Sequence, residues 1–361
     1  MRSFRNLNSL IPEEHRETTE TLVSNVEKIM SKDVNPFIKS WEKEHKMPLH
    51  SLFKIFGDNG LLGISHSERV GGFGLPYSVN LAVAEAFGKY IDHGSLPMAL
   101  GVQTDMATPA LAEHGSDYLI ETYLKPAIAG DHVTCIGVSE PSAGSDVGNI
   151  SSTAKISDCG KYYVVNGSKI WTTNVTQADW MCMLVNTETN ESKYKNKSLI
   201  VMPLDLPGIT ISTKDMEKMG QKASDWGQSY FQDVRVPREN LIGKEGMGFY
   251  YQMQQFQKER LYGAASNIGI LENAILKTIE YTSDRVAFGK PLIKNQFIAF
   301  KLAELMTEVE IARSAMYYMT ERVDKGEANE FSKVSKSILF LNNWFLKIFR
   351  IRNRPSNDVK V

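Results

Sequence analysis

The residue with the most chemistry around it is Glu259, in the run Q-K-E-R-L within the stretch from Gly246 to Gly289. If that stretch is an α-helix, rotation of about 100° per residue stacks Gly263, Ser266 and Ile270 on its side over the next three turns. A carboxylate above small side chains could act as a base beside a flat ligand that approaches the backbone. A solvated glutamate on an exposed face is the competing reading, since exposure is the default for Glu. The loop S-E-P-S-A-G-S-D, Ser139 to Asp146, is the second candidate. Its small residues expose N–H groups and hydroxyls, a composition suited to holding a phosphate, although a plain surface turn looks the same. Metal chemistry is not indicated. The seven histidines are scattered without an H-E-x-x-H arrangement, and Cys135, Cys159 and Cys182 form no CxxC pair. Neither a zinc site nor a disulfide framework follows, and a reducing compartment fits best.

Three blocks of sequence must position these groups. From Leu261 the apolar residues Leu261, Ala265, Ile268, Leu271, Ile275 and Ile279 recur every three or four positions, which predicts one buried helical stripe with Glu259 off it. Residues 1–132 read as an N-terminal helical domain. Leu22, Val26 and Ile29 have helical spacing, and S-V-N-L-A-V-A-E-A-F-G-K-Y predicts a largely buried helix. The G-G-F-G-L-P segment, Gly71 to Pro76, lacks the third glycine and preceding strand of a dinucleotide fingerprint and reads as a loop.

Residues 133–242 change to short β-branched and aromatic runs, among them V-T-C-I-G-V, K-I-W-T-T-N and W-M-C-M-L-V. This texture predicts an antiparallel β-barrel or sheet, with Asn166-Gly167 as a hairpin turn. Residues 243–361 return to long amphipathic helices, which predicts a C-terminal bundle of about three helices where a full bundle has four or five. The fold class is therefore α+β multidomain: helices, barrel, incomplete bundle.

Lys plus Arg number 41 against 42 for Asp plus Glu, so no net field attracts nucleic acid. No run of about 18 apolar residues predicts a transmembrane helix. Arg2 and Arg5 in an acid-free start are compatible with a clipped organelle-targeting remnant.

Four segments in register, C-I-G-V-S-E-P-S-A-G-S-D-V, N-G-S-K-I-W-T-T-N, F-Q-D-V-R-V-P-R-E-N-L-I-G and R-V-A-F-G-K-P-L-I-K-N-Q-F-I, together resemble the acyl-CoA dehydrogenase family. The resemblance covers residues 1 to about 340. It implies FAD as cofactor, α,β-dehydrogenation of a fatty acyl-CoA to the trans-2-enoyl-CoA, and electron transfer to an electron-transfer flavoprotein. Family flavin contacts fall on Ile136, Val138, Ser139, Trp171, Thr172 and Thr173. Ser145 matches a position near the cofactor pyrophosphate or the CoA. Arg285, Phe288 and Gln296 match residues that reach the FAD of a neighbouring subunit, which implies a homodimer or homotetramer. Tyr250, Lys258 and Arg260 match positions that line the acyl-CoA site.

Most family members carry the catalytic glutamate near the C-terminus, after a G-G-x-G-Y segment that this chain does not contain. Members resembling the long-chain and isovaleryl enzymes place it early in the long bundle helix, before R-L. The resemblance thus puts the base on Glu259, with flavin N5 taking the β-hydride. It also implies fatty acid β-oxidation in the mitochondrial matrix of a eukaryote, or in the cytoplasm otherwise. After about Ser337 the sequence departs from the family. That departure leaves open a catalytically inactive truncated isoform that binds acyl-CoA or a partner subunit, and a separate alternative is an oxidase-like relative that passes electrons to oxygen.

Overall fold

The structure is a computed structural model that describes residues 11–91, 93–187, 192–214 and 216–326. The arginine-bearing start and the expected third bundle helix lie outside the described residues.

Eight α-helices come first: α1 Arg16–Ile29, α2 Ile38–Glu44, α3 Leu49–Asp58, α4 Tyr77–Lys89, α5 Ser95–Gly101, α6 Pro109–His114, α7 Asp117–Leu119 and α8 Lys125–Ile128. Segment 71–76 is a loop, as its glycines and proline predict. The run Tyr77 to Gly88 in α4 is buried throughout, because α1 and the long C-terminal helix both pack against it. That helix, α9 Gly248–Asp284, is followed by a two-strand ribbon and by α10 Gln296–Asp324. The predicted stripe holds: Leu261, Ala265, Ile268, Leu271 and Ile275 are buried in one core with Phe53, Phe87, Leu100 and Met316. The first and last blocks of the chain therefore share a core.

Two glycines set how closely α4 and α9 cross. A Cβ added at Gly88 would stand 1.9 Å from the Ser266 carbonyl oxygen, and one at Gly269 would stand 2.0 Å from that of Glu85. This contact corrects the expectation that Ser266 forms part of an open face, since α4 covers it. Gly263 stays open, with no atom within 4 Å of an added Cβ. Gly269→Val is expected to destabilise the protein by about 2 kcal/mol or more, because the backbones must separate. Gly263→Ala is expected to gain up to about 1 kcal/mol in urea unfolding, because a helix favours alanine where space allows.

The middle block forms one eight-stranded sheet: β1 Thr134–Gly137, β2 Thr153–Ile156, β3 Tyr162–Thr173, β4 Trp180–Asn186, β5 Lys197–Pro203, β6 Ile209–Ser212, β7 Trp226–Pro237 and β8 Leu241–Ile242. The order β6-β7-β3-β2 continues through a single pairing, Thr153 with Asn186, into β4-β5-β8. The sheet is antiparallel except at β4, to which β1 runs parallel over four residue pairs and β2 at that single pairing. A parallel neighbour needs a long crossover, and the chain between Gly137 and Trp180 supplies one.

Asn166-Gly167 is not a hairpin turn. It lies inside β3, at a register shift opposite Asp233 of β7. Gly167 has φ 142°, and a Cβ there would meet Ser152 Oγ at 2.3 Å. The Asn166 amide binds Asp233 on both sides, donating to its Oδ1 at 3.0 Å and accepting from its N–H at 2.9 Å. Residue types that suit a turn here stabilise a β-bulge instead. The ribbon after α9 pairs β9 Val286–Ala287 with β10 Lys290–Pro291.

Candidate active site

Two segments some thirty residues apart meet at one end of the sheet. The N–H of Ile170 donates to the Ser139 carbonyl at 2.9 Å, tying β3 to the end of β1. Beneath that joint lies Lys169, whose Nζ donates to the Val138 carbonyl at 3.1 Å and to Glu140 Oε1 at 2.8 Å. Both side chains of the pair are buried. Glu140 also accepts from the Ser151 N–H at 2.6 Å, the Ser151 hydroxyl at 2.7 Å and the Ser152 N–H at 3.0 Å. Burial alone would raise the Glu140 carboxyl, but the Lys169 charge and these donors outweigh it and hold it at about 2. Burial in turn pulls Lys169 down to about 8, against the attraction of Glu140.

Above this pair the strand kinks. The register shifts between Lys169 and Thr172, and Trp171 adopts φ 60°, a left-handed conformation strained for a bulky residue. The kink turns its indole outward, 52% exposed, against Trp226 with ring centroids 5.2 Å apart. Thr172 is buried and its hydroxyl has no partner, Thr173 and Ile136 are half-buried, and Val138 is buried. Ser145 is exposed on the loop beside Gly144, where an added Cβ meets nothing within 4 Å. An exposed aromatic face, an unsatisfied hydroxyl and an open small-residue loop suit a flat polar ring with a phosphate tail. These residues fit FAD.

Glu259 is half-buried on α9. Desolvation pushes its carboxyl up to about 7, with Arg260 opposing and Asp105 adding to the rise. Arg260 itself lies over the Phe256 ring at 5.9 Å. A base that titrates near neutrality beside the open backbone at Gly263 can remove a weakly acidic proton.

The other expected substrate residues lie elsewhere. Tyr250 and Lys258 line a cleft of about 470 Å³ with Pro109, Glu113, His114 and Gln255. Lys258 Nζ donates to Glu113 at 2.7 Å, and His114 stacks on Tyr251 at 3.9 Å. Nine residues of helix put Tyr250 about 180° around α9 from Glu259, and one residue puts Lys258 about 100° away. Glu259 is not among the residues that line this cleft, although its neighbour Lys258 is.

Arg285, Phe288 and Gln296 are exposed at the far end of α9. At 1.5 Å per residue Arg285 is about 39 Å along the axis from Glu259. Phe288, fully exposed at φ 51°, projects from the β9–β10 ribbon. The support pair Lys169 and Glu140 escaped sequence reading, because a lysine in a strand signals an exposed edge. Trp226 gave no signal of its own.

The sequence patterns described as the N-terminal, middle and C-terminal domains of acyl-CoA dehydrogenase match residues 16–131, 135–234 and 246–341. The human mitochondrial short-chain specific acyl-CoA dehydrogenase is 32% identical over 315 residues, covering 86% of this chain and 74% of that protein. The mitochondrial isovaleryl-CoA dehydrogenase of Oryza sativa is 30% identical over 314 residues, 87% of this chain and 75% of that protein. A crystal structure of a probable acyl-CoA dehydrogenase from Mycobacterium abscessus superposes with a TM-score of 0.83 at 33% identity, over 94% of this chain and 89% of that one. The chain belongs to the acyl-CoA dehydrogenase family, whose enzymes use FAD to dehydrogenate acyl-CoA thioesters.

Proposed function

We propose that this chain dehydrogenates a short or branched acyl-CoA, with Glu259 removing the α-proton. The observation that carries the reading is the half-buried Glu259 carboxyl, pushed up to about 7 and standing one turn before the open Gly263. Ile136, Val138, Ser139, Ser145, Trp171, Thr172 and Thr173 would hold FAD, which when bound supplies the acceptor for the β-hydrogen. Thr172 and Thr173 offer hydroxyls to its polar edge and Trp171 packs on its ring.

A short or branched chain is favoured by Tyr262, three residues past Glu259. Its hydroxyl donates to the Pro97 carbonyl at 2.9 Å, and its ring lies 2.3 Å from the position of a Cβ added at Gly101. It fills the space between α5 and α9, so little depth is left there for a long chain. The names of the short-chain and isovaleryl relatives agree.

A second copy would bring Arg285, Phe288 and Gln296 to a flavin that they cannot reach within their own chain if Glu259 marks its site, and the exposed Phe288, Phe297 and Phe300 give that end an apolar surface to cover. The electron acceptor proposed is an electron-transfer flavoprotein, and the setting proposed is fatty acid β-oxidation in a mitochondrial matrix; the rice and human relatives are named mitochondrial.

The test is the visible spectrum of the purified protein, recorded anaerobically with a panel of acyl-CoAs. The protein is expected to be yellow, and butyryl-CoA or isovaleryl-CoA is expected to bleach it at least about tenfold faster than palmitoyl-CoA. Equal bleaching by palmitoyl-CoA would remove the chain-length reading. Colourless protein that does not retain added FAD would support a non-catalytic binding role, and peroxide release when substrate is added in air would support an oxidase.

A further inference from the structure

Asp105 lies in a π-helical stretch, Val102–Ala107, between α5 and α6. Such irregular turns re-aim side chains and recur at functional sites. Asp105 is 2% exposed, and every neighbour that binds it is uncharged. Its Oδ1 lies 2.7 Å from the Tyr77 hydroxyl and 3.1 Å from Asn80 Nδ2, and its Oδ2 accepts from the Thr104 hydroxyl at 2.6 Å. Burial pushes its carboxyl up, and these hydrogen bonds only partly oppose the rise.

The Tyr77 hydroxyl is also 2.8 Å from the carbonyl oxygen of Lys258, the residue immediately before Glu259. One hydroxyl proton therefore faces two acceptors. With Asp105 ionised, Tyr77 donates to the carboxylate and its hold on the helix weakens. With Asp105 protonated, the carboxyl donates to Tyr77, and the hydroxyl proton is free for the Lys258 carbonyl.

We propose that Asp105 is a positioning residue for Glu259, acting on the helix backbone through Tyr77 and on the Glu259 proton through its own charge. The inference rests on the reading of Glu259 as the base. The groups facing Asp105 are Tyr77 and Asn80 from α4, Thr104 beside it, and Lys258, Glu259 and Tyr262 from α9, while Arg260 acts on Glu259. Asp324 at the end of α10 accepts from the Tyr77 and Ser78 N–H groups at 2.7 and 3.2 Å, which fixes the start of α4. Lys258, the cation acting on Asp105, is itself held by Glu113 at 2.7 Å. Two carboxyls thus share one poorly hydrated region, and ionisation of either opposes that of the other.

The test compares the wild type with Asp105→Asn, Tyr77→Phe and Glu259→Gln as full-length FAD-loaded proteins. The readouts are the pH profile of anaerobic flavin reduction and an infrared titration of the protonated carboxyl band that Glu259→Gln removes. Asp105→Asn is expected to move both the acid limb and the infrared midpoint down by about half a pH unit or more, because the neutral amide no longer repels the Glu259 charge. Tyr77→Phe is expected to leave the limb in place and to lower kcat about threefold or more with KM little changed, as a displaced base would. Unchanged limb and infrared midpoint in Asp105→Asn overturn the inference, even if its Tm falls. If Asp105→Asn does not fold, an unchanged kcat in Tyr77→Phe overturns it instead. A Glu259→Gln protein that reduces normally overturns the base assignment itself, a separate outcome from either.

Discussion

Glu259→Gln is expected to slow anaerobic flavin reduction by acyl-CoA by about 10³-fold while leaving the yellow colour and the FAD affinity unchanged. The magnitude is that of a lost general base, about 10²- to 10⁴-fold. The direction follows from the chemistry. The α-proton of a thioester is weakly acidic, and an amide cannot accept it. The wild-type kcat/KM is expected to fall about tenfold per pH unit below about 7, where Glu259 takes up its proton, and to level off above that value. Glu259→Asp keeps the charge on a shorter arm, so it should retain the acid limb at a reduced rate. Stopped-flow bleaching from pH 5 to 9 checks the wild type and both variants of the position. A Gln variant that bleaches at the wild-type rate would move the base elsewhere.

Lys169→Met is expected to cost about 3 to 5 kcal/mol of stability and to weaken FAD binding by at least about tenfold. Removing one partner of a buried ion pair strands the other charge, which is far more costly than the pair itself is stabilising. Glu140 would keep its three donors from Ser151 and Ser152 but lose the cation. Lys169 also donates to the Val138 carbonyl, so its loss leaves the segment from Ile136 to Ser139 tied to the strand that presents Trp171 through the Ile170 N–H and Ser139 carbonyl without that second bond. The double variant Lys169→Met with Glu140→Leu should be more stable than Lys169→Met alone, because no charge is then stranded. FAD affinity should not recover with it, since the carbonyl contact is still absent. Urea unfolding and flavin-fluorescence titration separate the two effects. Recovery of both in the double variant would show that the pair supports the fold alone.

Much of the architecture is readable from local pattern. The three or four residue spacing in α9 specifies which face is buried, because helix period and core burial are both local geometry. The alternation in β3 and β7 marks them as half-buried strands for the same reason. Asn166-Gly167 misled because its residue types favour any backbone turn with positive φ, and whether that turn closes a hairpin or opens a bulge depends on what lies opposite. Here Asp233 lies opposite, with φ 51° of its own.

Local pattern determined the three-block order and a glutamate placed off a helical stripe, because each depends on residue type and spacing within a few turns of chain. The segments suited to a flavin rest on the resemblance to the family. Tertiary structure alone decided that Lys169 and Glu140 join β1 to β3, that α4 covers Ser266 and leaves Gly263 open, and that Asp105 and Tyr77 stand behind Glu259. It also decided the proton affinity of Glu259. Desolvation is set by how many atoms from distant parts of the chain displace water around a group, and no local pattern encodes that number.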